Sequence, residues 1–285
     1  MRLPLRTPAI LAFSALLLGS VVAHGQEKPA GETVLPSVTS TAVRDPVEKS
    51  YRRMIGGMDL FERMHAMAPN ATLRYKLLPR RPETNMSNVS VDIIGKTVAL
   101  PVRVARDHTF TLERDPKAMA EDASVIPNRK SGSMTWRTEI RTPGLPPDTR
   151  RLGDLRLECL VGMEAGLVSN GRPLFGKIAN MLLGAMDYCN QDDTEYLFFA
   201  ERPVFSVTLV SGARKETLSV DRMYAGATYD TGLKDDLPYC DCQVLVDRTY
   251  FLPLGDRSWP DDTLVQFEYM DDDNGPPPSK ADITG

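Results

Sequence analysis

Two hydrophobic periodicities organise this chain. Val47, Tyr51, Met54, Met58, Phe61, His65 and Ala68 recur at alternating steps of four and three, the single stripe of an amphipathic helix over residues 46–68. Asp45-Pro46-Val47-Glu48 supplies an N-cap, a proline for the first turn and a capping acid. Gly56-Gly57 weakens the middle of that helix, and Pro69-Asn70 ends it. From residue 72 the pattern alternates with period two between turn residues. It predicts strands over residues 72–78, 89–94, 98–104, 109–112, 133–140 and 155–161, with long proline-bearing connections at 115–130 and 142–151. Leu174, Ile178, Met181, Leu182 and Ala185 share a face and predict a second helix over residues 173–188. Strands resume at residues 196–199, 205–210, 217–220, 243–246, 250–254 and 264–269.

This order predicts a mainly β protein of two antiparallel β-sandwich domains, Ig-like or transthyretin-like, at residues 70–170 and 195–270. An N-terminal helix (45–69) precedes them and a connecting helix (171–194) joins them. Residues 26–44 read as a flexible linker, and residues 271–285, acidic and then proline-rich, as a disordered tail. The two β regions share Asp107-His-Thr-Phe-Thr-Leu112 and Asp247-Arg-Thr-Tyr-Phe-Leu252, one pattern of aspartate, threonine, aromatic and leucine. Residues 95–112, a strand, a turn at Asp107 and an aromatic strand, resemble carboxypeptidase-regulatory-like and transthyretin-like sandwich modules. Those modules usually carry glycine after the aspartate, where this chain has His108 and Arg248. The resemblance implies a small antiparallel sandwich used for binding or for supporting a neighbour, and brings no catalytic residues.

The first 25 residues change the setting. Arg2 and Arg6 precede the apolar run 9–23 and a small-residue exit at Ala23 to Gly25, which reads as a secretory signal peptide cut before Gln26. No later apolar stretch approaches the length of a membrane span, so none is expected after cleavage. The expected location is periplasmic or secreted, in a bacterium. Of 34 basic and 38 acidic residues, cleavage removes two arginines and no acid, leaving a mature chain at about −6. That charge disfavours nucleic acid and anionic membrane as partners. Cys159, Cys189, Cys240 and Cys242 are an even set in an oxidising compartment and predict two disulfides. A direct bridge from Cys240 to Cys242 would close a strained ring, so each is expected to bond Cys159 or Cys189.

Candidate chemistry is sparse. Metalloprotease, nucleophile-elbow, phosphate-loop and dinucleotide motifs are all missing, and only His65 and His108 remain in the mature chain. His65 reads as a helix residue and His108 as a turn residue. The acid pairs, among them Asp192-Asp193 and Asp235-Asp236, read as solvated turns. Calcium is the leading alternative to no cofactor, with Asp261 and Asp262 as first candidates. In residues 133–140 the face carrying Met134, Trp136 and Thr138 is assigned to the core. Arg150, Arg151 and Arg156 are candidates for recognising a carboxylate or an acidic partner, and Trp259 for an exposed or half-buried docking aromatic. The best reading is a non-catalytic binding or assembly protein of the cell envelope, partnered by a protein or another envelope component. Alternatives are a carboxylate-dependent hydrolase of an envelope polymer and a soft-metal-binding protein built on Cys240, Cys242 and some of the 13 methionines.

Overall fold

The alternation seen in the sequence becomes a set of short antiparallel strands, together with one helix buried from Leu152 to Gly162. The computed structural model describes residues 48–81, 83–130, 132–167, 188–191, 196–224 and 246–270. In chain order the elements are β1 (Lys49–Ser50), α1 (Tyr51–Met64), β2 (Thr72–Pro79), β3 (Val91–Ile94), β4 (Ala99–Val102), β5 (Thr109–Phe110), α2 (Pro116–Ala120), β6 (Ser124–Pro127), β7 (Met134–Arg141), β8 (Thr149–Arg151), α3 (Leu152–Glu164), β9 (Leu197–Phe199), β10 (Val204–Ser211), β11 (Arg214–Thr217), β12 (Thr249–Phe251) and β13 (Leu264–Tyr269). The described chain is thus mainly β. Its strands form four antiparallel sheets, ordered β1-β6-β3-β4, β5-β2-β7, β11-β10-β13-β8 and β12-β9.

Two apolar clusters hold these layers. Tyr75 and Leu77 of β2 and Met134 and Trp136 of β7 point to one face, where they meet Val91, Ile93 and Val125 of the β3–β6 pair. The period-two pattern of those strands is the half-buried pattern of antiparallel sheets. The other cluster surrounds α3, with Leu155, Leu160 and Val161 packed among Val207, Leu209, Tyr250, Trp259 and Val265. β8 and α3 fall by sequence in the first expected sandwich, yet β8 pairs with β13 and α3 is buried in the second cluster.

Residues 155–161 are helix and not the expected strand. Leu155-Arg-Leu-Glu-Cys159 alternates apolar and charged residues, which mimics a half-exposed strand. In α3, however, every residue from Leu152 to Gly162 is buried, so no polar face betrays the helical period. Asp154, Arg156 and Glu158 within it anchor its neighbours. Asp154 and Glu158, four apart, face the end of β7: Asp154 accepts from the Thr142 N–H and hydroxyl at 2.8 Å each, and Glu158 accepts from the Ile140 N–H at 2.9 Å. Arg156, on the other side, donates to the carbonyls of Leu254, Asp256 and Trp259 and to Asp261.

The helical start also moves. Ser50 and not Asp45 caps α1, its hydroxyl accepting from the Arg53 N–H at 3.4 Å, because Lys49 and Ser50 are drawn into pairing with β6. The buried face of α1 includes Ile55, Gly57 and Leu60 beside the expected Tyr51 and Met54. Gly57 explains the rotation: a Cβ there would lie 2.9 Å from the Ala165 Cβ and 3.2 Å from the Val161 carbonyl, so glycine lets α1 close on α3. The connection at 115–130 holds α2 and β6, the connection at 142–151 holds β8, and β11 ends where the strand at 217–220 was expected to begin. The signal segment, the linker, nearly all of the helix at 173–188 and of the strand at 243–246, and the tail lie outside the described residues.

Cys159 and Cys189 are bonded to each other, with Cα atoms 6.0 Å apart, which corrects the expectation that each would take Cys240 or Cys242 as partner. Cys240 and Cys242 lie outside the described residues. The bridge ties α3, at its Cys159, to a residue 30 positions downstream. Closing a loop of that length stabilises by about 3–4 kcal/mol on the chain-entropy model. The Cys159→Ser, Cys189→Ser double variant is therefore expected to lose about that much in a urea titration, with the far-UV spectrum retained.

Candidate functional site: an arginine-lined cleft

The face of β2 and β7 opposite Trp136 is strongly charged. Register places Lys76 across from Arg137 and Arg74 across from Glu139, so the outward positions of β7, namely Arg137, Glu139 and Arg141, lie in a row beside Lys76. Opposite this row stand β9 and its following turn, with Phe198, Phe199 and Glu201, and the Arg248-Thr249-Tyr250 entry to β12. Arg150 of β8 and Glu158 of α3 close the inner end. Among the described residues, five cationic side chains and three carboxylates line the cleft, an excess of two positive charges. Its cavity volume is about 50 Å³, room for a water or two or for a small head group.

All three carboxylates are engaged. Glu139 receives Arg141 Nε at 3.0 Å and Lys76 Nζ at 3.5 Å, Glu201 receives Arg141 Nη2 at 2.5 Å, and Glu158 receives Arg150 Nη2 at 2.5 Å. Arg150 Nη2 also donates to the Ile140 carbonyl at 2.8 Å. Arg137 Nη1 donates to the Phe199 carbonyl at 2.8 Å, with its guanidinium 4.7 Å from the Phe199 ring, and Arg248 Nη1 donates to the Glu201 carbonyl at 2.8 Å. Two buried donors remain: Arg150 Nε and Arg248 Nε have no hydrogen-bond acceptor among the described residues. A buried donor without an acceptor is costly, and a ligand that supplies one recovers that cost.

Burial alone would raise the Glu139 carboxyl, but Arg141, Lys76 and Arg150 outweigh it and hold it below the ordinary carboxylate range. For Glu158 burial is the larger effect, and its carboxyl lies above that range despite Arg150. Arg150 is moved the opposite way to what its burial favours, upward, by the Glu158 charge. These two shifts pull the pair in different directions. We take it as ionised, because Glu158 Oε1 accepts from both Arg150 and the Ile140 N–H, and both contacts favour a carboxylate. Burial also lowers Arg137, with Glu158 the main opposing charge, though an arginine stays cationic in proteins.

The structure sorts the residues singled out by sequence. Arg150, 8 % exposed, is in the cleft. Arg151 is half-buried at the end of β8, backbone-paired with Leu264 and outside the cleft lining. Arg156 braces the 254–261 loop and Trp259 is only 1 % exposed, with the Arg214 guanidinium 3.5 Å over its ring, so Trp259 is a core residue and not a docking aromatic. Asp261 Oδ1 accepts from Arg156 Nη1 at 2.6 Å, and Asp262 is exposed on the adjacent turn. Among the described residues no group of three or more His, Cys, Asp or Glu gathers there or elsewhere to hold a metal.

Arg137, Arg141, Lys76 and Arg248 were not singled out as binding residues. The alternation Arg137-x-Glu139-x-Arg141 was a signal for two of these residues, and for Glu139 between them, being a charged row on the face opposite Trp136. Arg248 had a weaker one, the shared pattern at Asp107 and Asp247. In both copies the threonine opens a strand and the aromatic, Phe110 or Tyr250, is buried. The turns differ: His108 takes a left-handed φ of 62°, whereas Asp247 and Arg248 lie in a short 3-10 helix that carries the guanidinium into the cleft.

Comparison of the chain with protein-family models, with curated proteins and with solved structures finds no match. The reading of function therefore rests on the cleft.

Proposed function

We propose that this is a secreted or periplasmic, non-catalytic binding protein of the bacterial cell envelope, and that the arginine-lined cleft is its recognition site. The observation that carries this reading is the pair of buried, acceptor-less Nε–H groups of Arg150 and Arg248 in a cleft with excess positive charge. Supporting it are the Cys159–Cys189 disulfide, which suits an oxidising compartment, and the absence among the described residues of any helix long and apolar enough to cross a membrane. The Ig-like or transthyretin-like character of the two β regions belongs to the same proposal, supported by the pair of sheets that each apolar cluster joins. Among the described residues every carboxylate of the cleft is already held by a cation, which favours binding over acid–base work.

One observation favours the hydrolase as a second reading: Glu139 and Glu158, in the same cleft, have their carboxyl groups pushed in opposite directions. The two readings separate experimentally. With a photo-crosslinking residue in place of Leu78, on the cleft wall, envelope extracts are expected to give a defined adduct. The same residue in place of Phe205, exposed on β10, should not. Adducts from neither position would remove the proposal. Turnover of purified envelope polymer that is lost in Glu139→Gln would replace it with the hydrolase.

A further inference from the structure

We infer that the cleft seats a single carboxylate group, its two oxygens accepting from Arg150 Nε–H and Arg248 Nε–H while Arg150 keeps its bonds to Glu158 and Ile140. This rests on the binding reading above and names the chemistry of the ligand. Two orphan donors call for a head group with two acceptor oxygens. The other positions on both guanidiniums are partly committed, through Nη2 of Arg150 to Glu158 and the Ile140 carbonyl and through Nη1 of Arg248 to the Glu201 carbonyl.

Charge and size agree with this. The excess of two positive charges accommodates a monoanion, and a cavity of about 50 Å³ admits a carboxylate head but not a whole ligand, so anything attached to it lies toward the cleft mouth. Phe199, half-buried under the Arg137 guanidinium, adds apolar wall to the cleft. The carboxylate can belong to a small free acid or to the end of a longer chain, and the two sources share this seat.

Isothermal titration calorimetry on the disulfide-intact mature chain, at ionic strength fixed with chloride, tests the inference. The probes are acetate, N-acetylalanine, N-acetylalaninamide and inorganic phosphate. Acetate or N-acetylalanine is expected to bind one per chain, and the amide not at all. Tighter binding of N-acetylalanine assigns the carboxylate to a chain end, and equal or weaker binding assigns it to a free acid. Arg248→Gln is expected to weaken carboxylate binding at least about tenfold, a loss suited to a charge-assisted hydrogen bond. Arg248→Lys, which keeps the charge but not the Nε–H, should weaken it as much. Arg52→Gln, in an exposed pair with Asp122 outside the cleft, should bind as the parent does. Phosphate binding as tight as acetate, full binding by Arg248→Lys, or no heat from either carboxylate would each overturn the carboxylate seat. If crosslinking from position 78 persists in that case, the binding reading stands without it; if both fail, both fall.

Discussion

Glu158→Gln is expected to destabilise the protein by about 3–5 kcal/mol, the loss that follows when one partner of a buried ion pair is removed. The side chains of Arg150 and Glu158 are 9 % and 5 % exposed, so the arginine left behind cannot recover its charge compensation from water. Glutamine still offers an oxygen to the Ile140 N–H, and the cost therefore isolates the charge rather than the hydrogen bond. The double variant Arg150→Met, Glu158→Gln should lose less than Glu158→Gln alone, because it removes the stranded charge along with its partner. Urea denaturation of the four members of this cycle gives the coupling. A double variant as unstable as the sum of the singles would mean that Arg150 and Glu158 act independently, and that the pair does not hold β8 against α3.

That pair marks the boundary of what the sequence could reveal. Strands such as β2, β10 and β13 were legible because one face of each is buried and the other wet, which prints alternation directly into the residues. α3 was not legible, because Asp154, Arg156 and Glu158 are buried and satisfied by neighbours up to 105 positions away, and no local pattern encodes such partners. Arg150, Arg151 and Arg156 looked equivalent as three arginines around Gly153-Asp154. Their roles separate only when α3 forms: Arg156 then turns to the 254–261 loop, and Glu158 rises to meet Arg150. The cleft is thus readable in its β7 row and unreadable in its inner end. Trp259 failed for a related reason, since a tryptophan beside a proline and two acids reads as a turn until Arg156 and Arg214 are seen to hold it inside.

Gly153→Ala is expected to cost about 3 kcal/mol or more, against the direction that helix propensity alone would give. Position 153 lies in the first turn of α3, where alanine ordinarily gains up to about 1 kcal/mol over glycine. Here the added Cβ would come within 2.2 Å of the Met67 carbonyl oxygen and 2.9 Å of the Asp261 carbonyl oxygen. Both obstacles are backbone and cannot swing aside, so α3 must shift, and with it the 2.9 Å hydrogen bond from the Gly153 N–H to Asp261. Overpacking of this kind costs about 1–3 kcal/mol where neighbours can yield and more where they cannot. For a chain of this size that corresponds to a melting temperature lower by roughly 6–12 °C. Gly56→Ala supplies the control: its Cβ would meet only the Glu164 side chain, at 3.6 Å, and propensity should then prevail, stabilising by up to about 1 kcal/mol. Opposite signs at the two glycines in thermal melts would show that contact geometry around α3, rather than helix propensity, governs Gly153. A neutral or stabilising Gly153→Ala would mean that the chain from Met67 and the 254–261 loop does not close on α3 as tightly as this, and the bracing role of Arg156 would fall with it.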